Sequence, residues 1–389
     1  MSSPGDPSGD AVTSGVGDAV TLGVGDAVTL GVEEEFQLLD VETGHVVSRA
    51  PAVLAALPAA TPPEWVQGEL TQSQVEIATP VCRSLDELRA HLEHWRRVTS
   101  QAAAQAGCVL AASGTPPAGD WREQRATRSQ RYLPLRDGMR HLVDEQLIAG
   151  CHVHVGVSSP DLRVAVLDRL RVWMPVLIAL TANSPLWLGV DTGFASWRTV
   201  HWWRWPVSGP PPAFGTAHDY DQRVAALTAT GAAPDESKVY WDVRLSARYP
   251  TVEVRATDVC RTVDETLMVA GLVRGLARVA LREHASGRPA PDPPPELMRA
   301  ATYLAARDGL TDRLVDPVTG RPIPAREAVS ALMDRCRPEL DATGDLAVVE
   351  PVAGEVLRSG TASQRQREAW ARGGPQAVLG VIAAAEARL

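Results

Sequence analysis

The sequence predicts an α+β fold: an antiparallel β-sheet with helices packed on its outer face, followed by a helical C-terminal region. Several segments alternate polar and apolar residues with a period of two, which is typical of strands with one buried face. Between them lie long amphipathic segments that begin at capping residues, as helices do. No second set of strands follows. We therefore predict a single domain over residues 29–389, with a helical C-terminal region from about residue 296.

Composition limits the classes of function. A chain of 389 residues can form one large domain or two ordinary ones with an ample core. The net charge of -9 argues against a general nucleic-acid-binding surface. A small anionic substrate is compatible with that charge only if arginines or metal ions supply local positive charge, because Lys238 is the only lysine.

Cysteine usage and hydropathy indicate the compartment. The cysteines are scattered and form no CxxC motif, so we expect reduced thiols in a cytoplasmic protein. They are Cys82, Cys108, Cys151, Cys260 and Cys336. No apolar stretch is long enough to span a bilayer, so we expect no membrane partner. No Lys or Arg precedes Arg49, so the charged start of a secretory signal is missing.

The N-terminus is of low complexity. Residues 1–8 are rich in Ser, Pro, Gly and Asp, and an eight-residue repeat, GDAVTSGV or GDAVTLGV, then occurs three times up to Val32. The repeat could extend the first strand through Gly-Asp turns, or it could be a duplication of one short unit that forms a disordered tail. We favour the tail and predict that residues 1–28 are disordered.

The first strand, Thr29–Leu39, carries three acids in a row. Alternation puts Glu33 and Glu35 on one face and Glu34 with apolar neighbours on the other. Two carboxylates on one sheet face repel each other, by about 0.2–1 kcal/mol. This strand could be an edge whose acids face water, or it could border a cation.

The segments that follow alternate strand and helix signals. GELTQSQVEIATP (68–80) predicts a second strand that carries Glu69 near its start and Glu76. Ser84 with Glu87 forms a capping box that begins a helix ended by Gly107. A short apolar strand spans 108–112 and a short helix follows near RYLPLRDGM.

IAGCHVHVGVS (148–158) predicts a third key strand, with His152 and His154 on one face. A long apolar helix follows over about 159–181, in which Pro175 should break the last turns. The tryptophan-rich segment 183–215 is irregular and long, which favours a substrate-facing loop.

The last strand signal is a hairpin over 239–258, in which Glu253 and Arg255 share a face. Thr262 with Glu265 begins another long helix, which ends near Gly287. A proline-rich link leads to predicted helices over 296–307, 324–337, 345–359 and 361–388. Their apolar faces could serve a homodimer, but no feature fixes an oligomeric state.

Four predicted strands thus offer an unusual polar face opposite an apolar one. Each signal alone is weak: two histidines on a strand are often satisfied by neighbours, and Glu-x-Arg is often a surface ion pair. Together they would line a concave, acid-rich surface. Carboxylates suit Mg²⁺, and some imidazole favours tolerance of Mn²⁺. No phosphate loop, H-E-x-x-H helix or nucleophile elbow occurs in the sequence.

These segments resemble the carboxylate–amine ligases of the glutamate–cysteine ligase type 2 family. The resemblance runs from about Thr29 to about Ala369 and includes TLGVEEEFQLLD, QSQVEIATP, GCHVHVGV, ANSPLWLGVDTGFASWR, RWPVSGPPPAFG, YWDVRLSARYPTVEVRATD, LAARDGL and SGTASQRQ. The family's fold is similar to the catalytic domain of glutamine synthetase, a curved antiparallel sheet with helices packed on its outer face.

The resemblance implies ATP-dependent ligation with Mg²⁺. ATP would phosphorylate a carboxylate, the γ-carboxylate in the case of glutamate, and an amine such as that of cysteine would displace the phosphate. Other amines, or a silent ATP- and metal-binding relative, remain alternatives. A metal-dependent hydrolase using the same acids is also open.

The resemblance also implies roles for individual residues. One cation would bind Glu35, Glu69 and Glu76, and a second would bind Glu33, His152 and Glu253. Arg255 would contact phosphate, His154 would lie near the nucleotide, and Arg198 would hold a substrate carboxylate.

The strand faces give expectations for single substitutions. We expect Glu35→Gln and Glu253→Gln to abolish turnover without loss of stability, because they relieve crowding of acids. We expect Glu34→Gln, on the opposite face, to keep activity.

One departure from the family concerns specificity. The family usually has Gly-Thr-His-Pro where this chain has Gly114-Thr115-Pro116-Pro117, so a histidine is replaced by Pro116. If that histidine shapes the substrate pocket, the amine partner has changed here.

Overall fold

The structure is a computed structural model that describes residues 28–127 and 133–384. The predicted tail of residues 1–28 therefore lies, apart from Val28, outside the described residues, as do the last residues of the predicted helix 361–388. The strands are β1 (Leu30–Asp40), β2 (Val66–Gly68), β3 (Gln74–Ala78), β4 (Cys108–Ala111), β5 (Gly150–Gly156), β6 (Leu186–Trp187), β7 (Val190–Asp191), β8 (Ser208–Gly209), β9 (Tyr240–Trp241), β10 (Val243–Leu245), β11 (Thr251–Asp258), β12 (Arg313–Val315) and β13 (Pro322–Pro324). The α-helices are α1 (Ala50–Ala56), α2 (Leu85–Gln105), α3 (Leu133–Met139), α4 (His141–Asp144), α5 (Pro160–Leu170), α6 (Met174–Leu180), α7 (Trp197–Trp202), α8 (Ala217–Ala229), α9 (Val263–Ala285), α10 (Pro295–Asp308), α11 (Ala325–Thr343), α12 (Leu346–Ser359) and α13 (Ala362–Ile382).

The centre of the fold is a seven-stranded antiparallel sheet in the order β10-β11-β5-β1-β3-β2, with β4 also paired to β1. The α+β class with an antiparallel sheet is therefore confirmed. β1 lies in the middle of the sheet, so the alternative of a solvated edge strand is wrong. A central strand has its backbone groups paired on both sides, and its side chains meet neighbours on both faces.

Helices cover one face of the sheet. The apolar residues of β5 and β11, such as Val153 and Val254, are fully buried. Helices α2, α5 and α9 pack against this face and share its core. The opposite face of the sheet therefore carries the polar residues.

Both predicted capping boxes begin their helices as expected. Ser84 accepts a hydrogen bond from the Glu87 amide at the start of α2, and Thr262 accepts one from the Glu265 amide at the start of α9. The glutamate carboxylates reach one residue further back than a standard capping box, to the amides of Arg83 and Arg261. Gly107, at φ 73°, follows the end of α2.

Two predicted elements differ in detail. The expected strand over 68–80 is a hairpin, because residues 69–73 turn the chain and β2 pairs with β3. The expected helix over 159–181 is divided into α5 and α6 by a 3-10 turn at Arg171–Trp173, next to Pro175. Proline lacks the amide hydrogen that a continuous helix would need at that place.

The C-terminal helices belong to the same hydrophobic core as the sheet. α11 and α12 pack on α9, and α10 packs on α6. The end of α13 returns to β4, where the Ala112 amide donates to the Ile382 carbonyl oxygen. No helix of the described residues combines the length and the apolar character required to cross a membrane.

Candidate active site

The register of the sheet brings the predicted polar residues together. On the face away from the helices, Glu33 of β1 lies opposite His152 of β5, and Glu35 lies opposite Glu76 of β3. His154 lies opposite Glu253 of β11 in the same way. Neighbouring strands are about 4.8 Å apart, so these cross-strand partners are within contact distance.

These residues line one cavity of about 550 Å³. All nine residues that the sequence and its resemblance singled out take part in the lining. They are Glu33, Glu35, Glu69, Glu76, His152, His154, Arg198, Glu253 and Arg255. Aromatic and apolar residues of a second hydrophobic cluster also line the cavity. They are Ile148 before β5, Trp202 of α7, Trp205, and Tyr240 of β9.

Two triplets within the cavity have the composition of metal sites. Ligand atoms of Glu33, His152 and Glu253 lie within 4.8 Å of one another, and so do those of Glu35, Glu69 and Glu76. Carboxylate oxygens with one imidazole are a donor set that Mg²⁺ and Mn²⁺ accept. The residues present therefore fit two hard divalent cations.

The carboxylates of the two triplets differ in their pKa shifts. Burial raises the pKa of Glu76 well above its usual range, and the charges of Glu69, Glu33 and Glu35 raise it further. Burial also raises the pKa of Glu35, although the positive charge of Arg198 opposes the effect. Carboxylates so crowded have to take up protons or bind cations.

Glu253 has the opposite surroundings. Burial alone would raise its pKa, but Arg255 and Arg244 lower it below the usual range. Arg244 donates to Glu253 from Nε at 2.9 Å, and Arg255 also contacts this carboxylate. The expected crowding of acids is therefore wrong for Glu253, which is compensated by two guanidinium groups.

The pKa values of the two histidines are shifted in opposite directions. Burial and the charge of Arg255 lower the pKa of His152 to about 4, so its imidazole is neutral, the form that binds metals. Its Nδ1 lies 3.3 Å from Glu33. Burial lowers the pKa of His154, but a hydrogen bond to Glu33 and the charge of Glu253 raise it overall. Thr251 contacts His154 Nδ1 at 3.0 Å.

Arg198 is buried beneath the protein surface. Its side chain is almost fully buried, and its guanidinium donates to the carbonyl oxygens of Ala256 and Arg255. It borders the cavity beneath Gly150, where a Cβ atom would lie 2.2 Å from Arg198 Nη2. A larger residue at position 150 would therefore displace the Arg198 guanidinium. The Gly150 amide donates to Glu35 at 2.7 Å.

Sequence reasoning missed two buried ion pairs of these strands, one in the site and one on the opposite face of the sheet. Arg244 stands directly opposite Glu253 in the hairpin, a pairing that the turn length of the predicted hairpin could have indicated. Glu34, on the helix-facing side, forms a buried ion pair with Arg96 of α2. Glu34→Gln would therefore remove one partner of an ion pair that has no access to solvent. The expectation that this variant keeps activity stays a prediction.

Comparison with known proteins settles the family. Residues 29–379 match the model of glutamate–cysteine ligase family 2. The chain belongs to this family. Its members include a protein of Saccharopolyspora erythraea with the provisional name glutamate–cysteine ligase 2-2, which is 42% identical over 358 residues covering 91% of each chain. A protein of Mycolicibacterium vanbaalenii with the same provisional name is 45% identical over 343 residues, covering 87% of this chain and 92% of the relative.

Solved structures show the same fold at low sequence identity. The glutamate–cysteine ligase of Francisella tularensis, crystallised in complex with AMP, is similar with a TM-score of 0.68 and 15% identity, over 91% of this chain and 87% of that one. PafA, crystallised with its partner, the prokaryotic ubiquitin-like protein Pup, is similar with a TM-score of 0.55 and 13% identity, over 92% and 73%. The protein described here therefore has a glutamine synthetase-like fold.

Pro116, where the resemblance leads us to expect a histidine, lies outside the cavity lining. It is buried in the loop that follows β4. The neighbouring Thr115 donates to the Leu186 carbonyl oxygen, which fixes the loop against β6.

Proposed function

We propose that this protein is an ATP-dependent carboxylate–amine ligase that joins glutamate, through its γ-carboxyl group, to an amine, with cysteine as the first acceptor to test. One observation carries the proposal: two acidic triplets and the guanidinium groups of Arg244 and Arg255 face a single cavity. Family membership, the provisional names of the relatives and the AMP bound to a structural neighbour support it.

The two triplets are the proposed ligands of two Mg²⁺ ions, which Mn²⁺ could replace. One set is Glu35, Glu69 and Glu76, and the other is Glu33, His152 and Glu253. Bound there, divalent cations would neutralise the nucleotide phosphates and the charge that develops on the transferred phosphoryl group.

The proposed reaction has two steps. An oxygen of the glutamate γ-carboxylate attacks the γ-phosphorus of ATP, and ADP leaves with the electron pair of the broken bond. The amine nitrogen then attacks the carbonyl carbon of the acyl phosphate, phosphate leaves, and the nitrogen loses a proton as the amide forms. Every atom is supplied by the three substrates.

The chain's own residues have defined roles in this scheme. Arg255 forms an ion pair with Glu253 and would also stabilise the transferred phosphoryl group. His154 lies on the same face of the neighbouring strand β5, opposite Glu253, and would contact the nucleotide. The buried positive charge of Arg198 in the cavity lining would favour a substrate carboxylate.

A different amine is the second candidate. Pro116 does not line the cavity, so a change of acceptor would have to come from the lining residues themselves. The chemistry of the two steps would be unchanged, because every proposed metal ligand is present.

Release of ADP tests the proposal. Purified protein is incubated with Mg²⁺-ATP and glutamate, with and without cysteine, and product masses are recorded. We expect cysteine-stimulated ADP release with the mass of γ-glutamylcysteine, and no release from Glu35→Gln. The exposed Glu42→Gln is the matched control and should behave as wild type.

Other outcomes decide between the alternatives. ADP release without that product would support another amine, which a panel of amino acids and amines would identify. Turnover without ATP would refute the ligase mechanism in favour of a hydrolase. Nucleotide binding without ADP release under any combination of substrates would indicate a silent relative.

A further inference from the structure

A neutral amide supports the most crowded carboxylate of the cavity. Gln67 of β2 lies directly opposite Glu76 of β3, which in turn lies opposite Glu35 of β1. The three side chains form one rung across three strands. Gln67 Nε2 donates to Glu76 Oε1 at 2.6 Å, and Gln67 itself lines the cavity.

The chemical nature of this donor is important because of its surroundings. Glu76 is buried among Glu35, Glu69 and Glu33, so its carboxylate lies in a strongly negative environment. A lysine at position 67 would cancel part of that charge, and a glutamate would add to it. A glutamine fixes one carboxylate oxygen and leaves the charge of the triplet unchanged.

The second triplet is supported differently. Glu253 is held by Arg244, a charged donor that neutralises the carboxylate it orients. The two triplets therefore have distinct supporting groups, and a change at position 67 acts on only one of them.

We propose that Gln67 is a positioning residue that orients Glu76 for a divalent cation held by Glu35, Glu69 and Glu76. The inference rests on the proposed function, because it takes this triplet to be a metal site. Hydrogen-bonding partners of metal ligands commonly contribute about 10–100-fold to metal affinity. Removal of the amide should weaken binding at this triplet by a factor in that range.

The test is a titration with Mn²⁺ alone, in which free Mn²⁺ is measured by electron paramagnetic resonance. Gln67→Leu removes the donor and keeps the approximate size of the side chain. Gln72→Leu is the matched control, because Gln72 is also half-buried but donates to the Ala126 carbonyl oxygen, outside the triplet. We expect about 10–100-fold weaker binding at one of two sites in Gln67→Leu and wild-type binding in Gln72→Leu.

A second variant separates positioning from a merely structural role. Gln67→Lys places a cation against Glu76, so we expect weaker Mn²⁺ binding together with a higher thermal midpoint of the metal-free protein. A structural defect would instead lower the midpoint. If Gln67→Leu does not fold, Gln67→Lys still tests whether Gln67 positions Glu76.

Three results would overturn the inference. Wild-type Mn²⁺ affinity in Gln67→Leu would refute the role of Gln67 while leaving the ligase proposal intact. A lowered midpoint in Gln67→Lys would assign Gln67 a structural role. Absence of Mn²⁺ binding by the wild-type protein would refute the metal assignment of the proposed function together with this inference.

Discussion

Glu34→Gln should destabilise this protein strongly, although the substitution preserves the shape of the side chain. Glu34 and Arg96 are both almost fully buried, at 0% and 2% exposure. Arg96 donates to both carboxylate oxygens, and Thr266 donates to one of them at 2.6 Å. The arginine also holds the carbonyl oxygens of Cys260 and Arg261, so the pair joins β1 to α2 and to the start of α9.

The magnitude follows from the burial of the charge that remains. Breaking a buried ion pair by removing one partner costs about 3–5 kcal/mol, because the other charge is left uncompensated. Glutamine still offers Arg96 one acceptor oxygen, so we expect a loss near the lower limit, about 3 kcal/mol. Domains have a total stability of about 5–15 kcal/mol, so this loss is a large fraction.

Urea unfolding measures the effect as a shift of the midpoint at constant slope. Glu42→Gln, in the exposed turn after β1, is the control and should change the free energy of unfolding by less than about 0.5 kcal/mol. The double variant Glu34→Gln/Arg96→Met should be less destabilised than the sum of its single changes. A Glu34→Gln protein within about 0.5 kcal/mol of wild type would refute the importance of this pair.

Three further predictions concern charge and cooperativity. In metal-free protein at pH 7.5, calorimetry should show a higher thermal midpoint for Glu76→Gln and a lower one for Glu253→Gln, since the native pKa of Glu76 is raised and that of Glu253 is lowered. The gain in Glu76→Gln should diminish as the pH falls toward the unfolded pKa of about 4.3 and vanish below it, where the carboxyl is protonated in both states. A gain of constant size at all pH values would contradict this cause. Burial and a neighbouring arginine lower the pKa of His201 to about 3, so only the unfolded state binds its proton between about pH 6.5 and 3. Stability should therefore fall on acidification through that range by up to about 1.4 kcal/mol per pH unit, and His201→Gln should flatten the profile; an unchanged slope would refute the assignment. Arg274 of α9 donates to both oxygens of Asp345, the residue before α12, so Arg274→Met should lower the urea midpoint of a single transition. Two separate transitions would contradict the predicted single domain.

Much of the candidate site could be predicted from local patterns. Alternation along β1 assigns Glu33 and Glu35 to one face whatever the strand pairs with, because the side-chain period of a strand is two. The same holds for His152 and His154 on β5. The resemblance to a ligase family then gave the grouping of these residues into two triplets, and the geometry of the described residues agrees with that grouping.

The sequence by itself determined the fold class, the helix starts at Ser84 and Thr262, and the faces of the strands, since these depend on residues a few positions apart. Only the tertiary structure decided which side chains meet. The pairing of Glu34 with Arg96 joins residues 62 positions apart, and the support of Glu76 by Gln67 depends on a turn within what looked like one strand. Such contacts follow from the register and packing of the whole sheet, and a change of one position in that register would exchange its two faces.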